Sequence, residues 1–540
     1  MLDKRITLVI FDEETPVQWE YGEKFSLTYD ANSLHRFQSN ILKAPADYIL
    51  FWDAKNVIPS EELLFNVATA KGNLIHVGPA LGLNNEPKLL DAIQPTSILH
   101  LDISLKIDHT SWKNTFRSCM LEKRVFETIP LASYSDSLDI IGLDFGFKAL
   151  KAGVITRFSA LLSNSILSKP EVQISKKDEL LFIRNNFDSK AFFWSYLMNI
   201  FKYSPIHFIQ VFSKKSSNCV KFFKRDLDSD TILDKDLSVS VVIATLDRYE
   251  TLKNELLELS HLDIPLKEII IVDQTAKSRR SNAFLREFKN LPINYIQTDI
   301  VGQCSARNLG ISNASGEFVW FLDDDMKEIP TNYLKQHLIT LYALKADISC
   351  GIPDEVGTNY IDRSVPKISV SDGFPTNDVL VKRSFLNDVH GFDEKMDQLQ
   401  SEDQEIGIRL VKKGALSIKN NQLRLLHLRA AMGGLRNHNV RKITFASSRT
   451  SLFQRRFLHY SEIYLSLKHF TKKQVKNALF LNLRGTFIVR GGILKKLLKI
   501  VIGIVLFPVS LYIVLKNFNL AKNLSNNRDM APNSELPLTF

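Results

Sequence analysis

The chain has 540 residues, of which 45% are apolar, and carries a formal net charge of +10. This length exceeds what one hydrophobic core usually organises, so we expect a globular protein of two or more domains. Its four cysteines are scattered without the spacing of a zinc site or a disulfide framework. That distribution excludes a small disulfide-stabilised secreted protein and is typical of a reducing compartment.

The positive charge is concentrated at the C-terminal end. From Arg429 onward the chain has 19 lysines and arginines against 3 acidic residues, which gives this tail +16 and leaves −6 for the rest. The basic residues accompany an apolar segment rather than an exposed aromatic platform, so nucleic acid is not an expected partner.

The first predicted element is a strand near the N-terminus. Its sequence, MLDKRITLVIFDEE, alternates over a short apolar run and then reaches acidic residues. It lacks the successive basic, apolar and small-residue zones of a secretory signal, so we expect this end of the chain to lie in the cytoplasm.

A domain boundary is predicted at Asp226–Asp236, DLDSDTILDKD, because this stretch is polar and aperiodic. The elements predicted next are strands at 239–244, 268–272 and 293–298 and helices at 251–260, 281–289 and near Ala306. Continuous apolar strands in such an alternation predict an α/β fold, with a mostly parallel sheet covered by helices on both faces.

Aspartates follow the apolar runs of three strands. Asp247, Asp273 and Asp323 each lie one to three residues beyond a run, and the last begins a triplet in GEFVWFLDDD. Because ligands of such sheets bind beyond the carboxyl ends of the strands, we expect the three side chains to face one crevice. Clustered carboxylates supply the oxygen ligands that Mg²⁺ and Mn²⁺ prefer.

Five segments carry a resemblance to a known family. They are VSVVIATLDR, EIIIVDQTA, GQCSARNLGISNASGEFVWFLDDD, NDVLVKRSFLNDVHGFDE and SEDQEIGIRLVKKG. Their order and rough spacing resemble the family 2 glycosyltransferases, which have the GT-A fold. The resemblance implies an inverting transfer of a sugar from a nucleotide-sugar, with a UDP-sugar as the leading expectation, and a Mn²⁺ or Mg²⁺ ion that bridges the diphosphate.

By this resemblance, the aspartate triplet is the DxD motif of the family. Asp323 would approach the donor ribose and share the metal with Asp325, while Asp324 fills the variable middle position. His427 falls where members of the family often carry a histidine near the metal. A satisfied core histidine on an apolar strand is the alternative for that residue.

The resemblance also assigns residues to the donor substrate. The assigned positions are Thr245, Asp247, Arg248, Asp273, Arg307, Asn308, Asp323 and Asp324. Arg307 and Asn308 lie at the start of a predicted helix, where a guanidinium and free N–H groups favour phosphate. An ordinary capped surface helix is the alternative. Gln274 and Thr275 replace the second acid and the serine of the commoner family pattern, so the preferred base stays open.

The expected general base lies in SEDQ. We predict Ser401 as a helix N-cap in a capping box with Gln404, and Gly414 as the end of the helix. Asp403 matches the base of the family, with Glu402 as a supporting group. The alternative is that both acids only complement the helix dipole. On the acceptor side, the resemblance assigns Asn377 and Asp378 and the turn GFDE at 391–394.

The first 225 residues resemble a degenerate copy of the same fold. ADYILFWDAKNVIP resembles GEFVWFLDDDMKEIP, with Asp53 in the place of Asp323. Alignment of Gly153 on Gly414 puts Ile141 and Gly142 where the second copy has Glu402 and Asp403. The shorter spacing before Asp53 predicts a missing βα unit. We therefore expect a non-catalytic GT-A-like domain at 1–225, against the alternative of an unrelated α/β domain; the strand order decides between them.

Residues 441–540 are predicted to form a helical basic tail. Its apolar core, 500–515, has 16 residues and contains Pro508, which we expect to interrupt it. That length is slightly short of the roughly 17–25 residues that span a bilayer. Lysines at 495, 496 and 499 precede it, so we expect association with the cytoplasmic face of the membrane, either in the interface or tilted through it. A helix docked on the protein itself is the alternative.

These expectations combine into one hypothesis for the chain. Residues 237–440 would transfer a sugar to a hydroxyl of a glycan or lipid-linked acceptor in the synthesis of a cell-surface polysaccharide. The alternative, an inactive scaffold or glycan-binding protein of an assembly complex, is disfavoured because the second half keeps its acids. Nucleotidyl transfer would need a glycine-rich, lysine-bearing loop after the first strand, and ATLDRYET offers none.

Overall fold

The computed structural model describes residues 5–14, 16–166, 172–212, 220–225, 227, 237–355, 365–428 and 445–526. Within these residues, each half of the chain forms its own β-sheet with its own hydrophobic core. The predicted boundary at 226–236 lies, except for Leu227, outside the described residues.

The first sheet has seven strands in the order β2-β1-β3-β6-β4-β7-β5. Its strands are Ile6–Phe11 (β1), Lys24–Leu27 (β2), Tyr48–Asp53 (β3), Leu74–His76 (β4), His109–Thr110 (β5), Ser118–Glu122 (β6) and Thr156–Phe158 (β7). Its helices are Ala31–Lys43 (α1), Glu61–Ala68 (α2), Lys123–Thr128 (α3), Leu138–Lys151 (α4), Ala160–Ser163 (α5), Lys176–Asn186 (α6), Ser189–Leu197 (α7) and Pro205–Phe212 (α8).

The second sheet has nine strands in the order β10-β9-β8-β11-β15-β13-β16-β12, with β14 paired to β16. Its strands are Val239–Thr245 (β8), Glu268–Asp273 (β9), Ile293–Gln297 (β10), Phe318–Asp323 (β11), Met326–Lys327 (β12), Ile348–Glu355 (β13), Ile368–Val370 (β14), Asp378–Lys382 (β15) and Ser417–His427 (β16). Its α-helices are Tyr249–Leu259 (α9), Gln303–Asn313 (α10), Tyr333–Ala343 (α11), Arg383–Asp388 (α12) and Glu402–Lys412 (α13).

The α/β prediction is confirmed, and the parallel part of the second sheet is the run β10-β9-β8-β11. β15 then adds antiparallel to β11. The register sets Thr245 beside Asp273 and Ala244 beside Asp323, so these strand ends share one edge as expected. The predicted α-helix at 281–289 is wrong: Ala283–Phe288 is a 3₁₀ helix, which buries only Phe284 and has no side-chain cap to stabilise its first turn.

The two sheets repeat one strand order. β1-β3-β6-β4-β7 and β8-β11-β15-β13-β16 have matching neighbours and matching directions at every step. β2 stands alone where the second sheet has both β9 and β10, in keeping with a missing βα unit. The strand order therefore favours a repeat over an unrelated α/β domain.

Helices α4 and α13 carry matching side-chain pairs, in agreement with the repeated strand order. Asp144 and Lys148 form a buried ion pair with atoms 2.6 Å apart, and Glu405 and Arg409 form the equivalent pair at 2.6 Å. Gly142, which replaces Asp403, packs against the backbone of Phe116, where a Cβ would lie 3.0 Å from the amide nitrogen. A carboxylate side chain at that position would require the backbone of the first half to shift by a few tenths of an ångström.

The two halves contact each other through equivalent residues. Gly153 and Gly414 both have left-handed backbones, with φ of 91° and 89°. A Cβ on Gly153 would collide with the carbonyl of Ile368, and a Cβ on Gly414 with that of Asp108 in the first half. Such reciprocal contacts are typical of two copies related by an approximate two-fold axis.

The C-terminal helices contact both halves of the chain, through an ion pair between Lys473 and Asp91 of the first half and a hydrogen bond from Tyr464 to Asp393 of the second. They are Phe445–Thr450 (α14), Tyr460–His469 (α15), Lys472–Arg484 (α16) and Ile493–Asn526 (α17). α17 is long and apolar enough to cross a membrane, yet it buries one face, which includes Lys499, Val514 and Leu524. The predicted interruption at Pro508 is wrong: the helix continues through it, because proline removes one backbone hydrogen bond and the turns on either side remain intact.

Candidate active site

The aspartate triplet lies where β11 turns into β12. Asp323 ends β11 and stays partly exposed, whereas Asp324 and Asp325 are buried. β12 pairs antiparallel with the end of β16, which sets Met326 opposite His427. This pairing brings the imidazole against the triplet although about a hundred residues separate them in the chain.

Asp323, Asp325 and His427 form a group that fits a divalent cation. One ligand atom from each residue lies within 4.8 Å of the other two. Two carboxylates and an imidazole form a donor set that Mn²⁺ accepts readily, and Mg²⁺ is compatible with the carboxylates. The imidazole Nε2 lies 3.1 Å from Asp325 Oδ1, so His427 does not point away into an apolar core.

Arg248 and Thr245 hold the middle aspartate. Arg248 Nη1 lies 2.7 Å from Asp324 Oδ1, and the Thr245 hydroxyl donates to Asp324 Oδ2 at 2.8 Å. Burial raises the pKa of Asp324 to about 6, although Arg248 and Thr245 act to lower it. Both carboxylate oxygens of Asp324 are engaged by protein groups, so this residue positions Arg248 beside the cluster.

Arg307 links the candidate metal site, formed by Asp323, Asp325 and His427, to the start of α13. Its Nη2 lies 3.2 Å from Asp323, and its Nη1 lies 3.3 Å from Glu402. The arginine is buried on α10, and the two carboxylates keep its pKa high despite that burial. One guanidinium therefore fixes the distance between the triplet and the helix that carries Asp403.

Asp403 lies in the first turn of α13, beside Glu402. Its pKa is raised to about 7, first by burial and then by the negative charge of Glu402. A carboxylate with a pKa near neutrality can accept a proton from a substrate hydroxyl and later release it. The predicted capping box is wrong: Ser401 has a left-handed backbone, with φ of 70° and no side-chain cap bond. The backbone N–H of Gln404 donates to Asp403 Oδ1 at 2.7 Å, and not to the Ser401 side chain.

The ends of β8 and β9 hold Asp247 and Asp273. Asp273 is buried and accepts hydrogen bonds from the hydroxyls of Tyr249, at 2.7 Å, and Tyr295. Burial acts to raise its pKa, but these hydrogen bonds outweigh that effect and the pKa is lowered. Asp247 has a left-handed backbone, with φ of 58°, and pairs with Arg279 through two hydrogen bonds. Nothing distinctive in the sequence marks the two tyrosines or Arg279 as neighbours of these acids.

Two residues expected to face a substrate are bound by the protein itself. The Asn308 amide donates to the carbonyl of Phe392 at 3.0 Å and accepts from its amide at 2.7 Å, which ties α10 to the turn at 391–394. Asp378 is fully buried and accepts hydrogen bonds from Trp320, at 3.0 Å, and Tyr333, at 2.5 Å. Both side chains are therefore held by hydrogen bonds within the protein.

Sequence reasoning missed a buried acid below the triplet. Glu255 on α9 is fully buried, and neither carboxylate oxygen has a hydrogen-bond partner among the described residues. Burial, and then the charges of the three aspartates, raise its pKa well above the ordinary value. One feature of the sequence could have predicted this burial. Glu255 lies three residues after Leu252 and four before Leu259, which places it on the apolar face of the helix.

One comparison with known proteins matches part of this half of the chain. Residues 240–392 match the family model described as glycosyl transferase family 2. No curated protein matches the chain. The family match covers the three strand ends, the triplet and Arg307, while Asp403 and His427 lie beyond it.

Three solved structures illustrate the similarity. A mannosyltransferase from Pyrobaculum calidifontis, in complex with GDP-Man and Mn²⁺, is 14% identical, with a TM-score of 0.32 over 55% of this chain and 78% of its own. TarS of S. aureus in complex with UDP-GlcNAc is 16% identical, with a TM-score of 0.33 over 54% and 92%. GalNAc-T7 with UDP, GalNAc and Mn²⁺ is 15% identical, with a TM-score of 0.31 over 36% and 43%.

Proposed function

We propose that this chain moves a sugar from a nucleotide diphosphate sugar to an acceptor hydroxyl, with inversion at the anomeric carbon, a proposal supported by the match of residues 240–392 to the model of glycosyl transferase family 2. The observation that carries the proposal is the convergence of the candidate metal site and a candidate base on one guanidinium. Arg307 lies 3.2 Å from Asp323 and 3.3 Å from Glu402, the residue before Asp403.

The metal would be held by Asp323, Asp325 and His427. Mn²⁺ or Mg²⁺ in this cluster would stabilise the negative charge that gathers on the diphosphate as the glycosidic bond breaks. Arg248 and Arg307 add fixed positive charge beside the same position, since both are tied to the triplet by ion pairs. Metal dependence and a UDP-sugar as donor are parts of this proposal.

The nucleoside would lie over the ends of β8 and β9. Thr245, Asp247 and Asp273 line that edge, and the hydroxyls of Tyr249 and Tyr295 hold the Asp273 carboxylate. A carboxylate kept ionised by such hydrogen bonds can accept a bond from an N–H of a base. Asn308 would act indirectly, by holding the turn at 391–394 against α10.

Asp403 would act as the general base. In the proposed step, the acceptor hydroxyl oxygen attacks the anomeric carbon, its proton passes to the Asp403 carboxylate, and the bond to the diphosphate oxygen breaks with its electron pair. One displacement of this kind inverts the anomeric centre. Glu402 would act on the step twice, by orienting Arg307 and by keeping the pKa of Asp403 high.

The acceptor is proposed to be a glycan or lipid-linked precursor at the cytoplasmic face of a membrane. α17 leaves a row of large apolar side chains exposed between 493 and 515, while its other face docks on the protein as far as Leu524. A helix held along one face in this way suits a position in the membrane interface better than a span. The first 225 residues would serve as a non-catalytic partner of the transferase half.

A screen of nucleotide-sugars tests the proposal. The purified chain is incubated with each donor and with Mn²⁺ or Mg²⁺, and release of the nucleotide diphosphate is measured. We expect slow hydrolysis with one donor class, which an acceptor glycan accelerates. An inactive scaffold would bind a nucleotide-sugar or a glycan without turnover, and the absence of release with every donor would refute the transferase proposal.

A further inference from the structure

A second exposed apolar surface lies on the first half of the chain, on α7 and α8. Seven large apolar side chains are exposed there: Phe193, Leu197, Ile200, Phe201, Ile206, Ile209 and Phe212. We call this set the α7–α8 surface. Phe201 is fully exposed. Soluble proteins rarely leave contiguous apolar area of this kind open, and such patches mark protein or membrane contacts.

The charge around the α7–α8 surface is mainly positive, although the exposed Asp188 caps the start of α7. From residue 189 to 212 the sequence contains no aspartate or glutamate, and Lys190 and Lys202 are exposed. The same composition extends over the C-terminal helices, where residues 463–526 contain eleven lysines and arginines and no acid. Apolar side chains fringed by an excess of lysines and arginines complement a bilayer that contains anionic lipid.

Side-chain contacts join the α7–α8 surface to α17. The Arg484 guanidinium, at the end of α16, lies 4.4 Å from the centre of the Trp194 ring on α7. The three residues that follow Arg484 pack on α17, where the rings of Phe487 and Phe507 lie 5.7 Å apart. Residues 484–487 therefore contact both α7 and α17 and connect the two helices.

We propose that the α7–α8 surface and the exposed face of α17 form one binding surface for an anionic lipid bilayer. The inference rests on the proposed interfacial position of α17 and assigns the non-catalytic half a role, as a second membrane contact that fixes the orientation of the chain. A bilayer is favoured over a second copy of the chain because residues 484–487 tie this surface to the apolar helix α17 and because the excess of positive charge repels another copy of the same charge.

Vesicle co-sedimentation of the full chain tests this inference. The vesicles are phosphatidylcholine alone, or phosphatidylcholine mixed with phosphatidylglycerol. A variant with Phe193→Ser, Phe201→Ser, Ile206→Ser and Ile209→Ser should bind the mixed vesicles on the order of tenfold more weakly, since each change removes apolar surface that would enter the bilayer. Lys190→Glu with Lys202→Glu should reduce the preference for anionic vesicles while leaving the apolar residues in place.

Matched controls carry Val57→Ser, Phe65→Ser, Leu161→Ser and Leu257→Ser, which are exposed apolar positions outside the surface. These controls should bind like the unmodified chain. Undiminished vesicle binding by the α7–α8 variant would overturn the inference. It would also be overturned if sedimentation velocity showed the unmodified chain as a dimer and the variant as a monomer that still binds vesicles, because the surface would then bind a second copy of the chain. Donor hydrolysis is measured in parallel: if it persists, the transferase proposal stands whichever way the vesicle result falls.

Discussion

His427 Nε2 lies 3.1 Å from Asp325 Oδ1, across the pairing of β12 with the end of β16. The pairing makes a two-residue strand part of the candidate site, because it orients the carboxylate that follows β11 toward the imidazole at the end of β16. A strand as short as β12 has little stability of its own, so β16 determines its position.

The first prediction concerns metal binding by this pair. His427→Ala should weaken Mn²⁺ binding about 10-fold to 100-fold, and Asp325→Ala should abolish it, because each change removes a ligand and the second also removes charge. Titration calorimetry with Mn²⁺ measures both affinities. His261→Ala, at an exposed histidine, is the control. Equal Mn²⁺ affinity in His427→Ala and the unmodified chain would exclude His427 as a ligand.

The second prediction concerns the base. Asp403→Ala and Asp403→Asn should lower the turnover number by about 10²–10⁴, with donor binding retained. Because the base must be ionised and its pKa is raised to about 7, the rate of the unmodified chain should fall as the pH drops below neutrality. Glu402→Gln removes the neighbouring charge that helps to raise this pKa. The fall in rate on the acid side of the pH–rate profile, the acid limb, should therefore move to lower pH. A limb that stays in place in Glu402→Gln would contradict the assignment.

The positions of the strand-end acids were predictable, because parallel strands bring their carboxyl ends to one edge of the sheet. β9 and β11 both pair in register with β8, and this pairing places Asp273 and Asp323 at that edge. The contact of Arg307 with Glu402 was not, since it joins residues 95 positions apart and depends on how α13 packs. Asn308 and Asp378 were interpreted as ligand contacts for the same reason, since their hydrogen-bond partners are likewise distant in the sequence. Their residue types suit a ligand, and only the fold reveals that buried protein groups already bind them.

The third prediction concerns Glu255. Its pKa in the folded chain lies well above the ordinary value, so the folded state retains a proton that the unfolded chain releases. The group's favourable contribution to stability is complete below the unfolded pKa and is lost as the pH rises toward the folded pKa. Glu255→Gln should therefore raise the melting temperature, and by more at about pH 8 than at about pH 5. Thermal unfolding in the presence of a chelator measures this, and a gain that shrinks with rising pH would argue that Glu255 is ionised.

The fourth prediction concerns the contact between the two halves. Gly153→Ala should destabilise the chain by about 1–3 kcal/mol, because alanine is strained at a φ of 91° and its Cβ would collide with the Ile368 carbonyl. Gly373→Ala is the matched control: among the described residues no atom lies within 4 Å of a Cβ there. Melting temperatures of the two variants should differ. Equal values would mean that the two halves are not packed through Gly153 in solution.

The last prediction compares the two copies of one strand end. Asp53 and Asp323 are the last residues of β3 and β11, but Asp53 lies 3.6 Å from Arg117 and is followed by Ala54 and Lys55. Asp323→Ala should abolish Mn²⁺ binding and sugar transfer, because it removes a ligand and the partner of Arg307. Asp53→Ala should leave both unchanged and affect only thermal stability, by about 1–3 kcal/mol, because it removes a buried carboxylate that accepts a hydrogen bond from the Lys55 backbone amide.

The reverse change sharpens this comparison. Ala54→Asp with Lys55→Asp restores the triplet in the first half, yet it should not restore transfer there, because Gly142 fills the place of the base against Phe116. The readout is transfer in a chain that also carries Asp403→Ala, so that only the first half could act. Transfer by that variant would mean that the first half retains a base that the repeat alignment fails to identify.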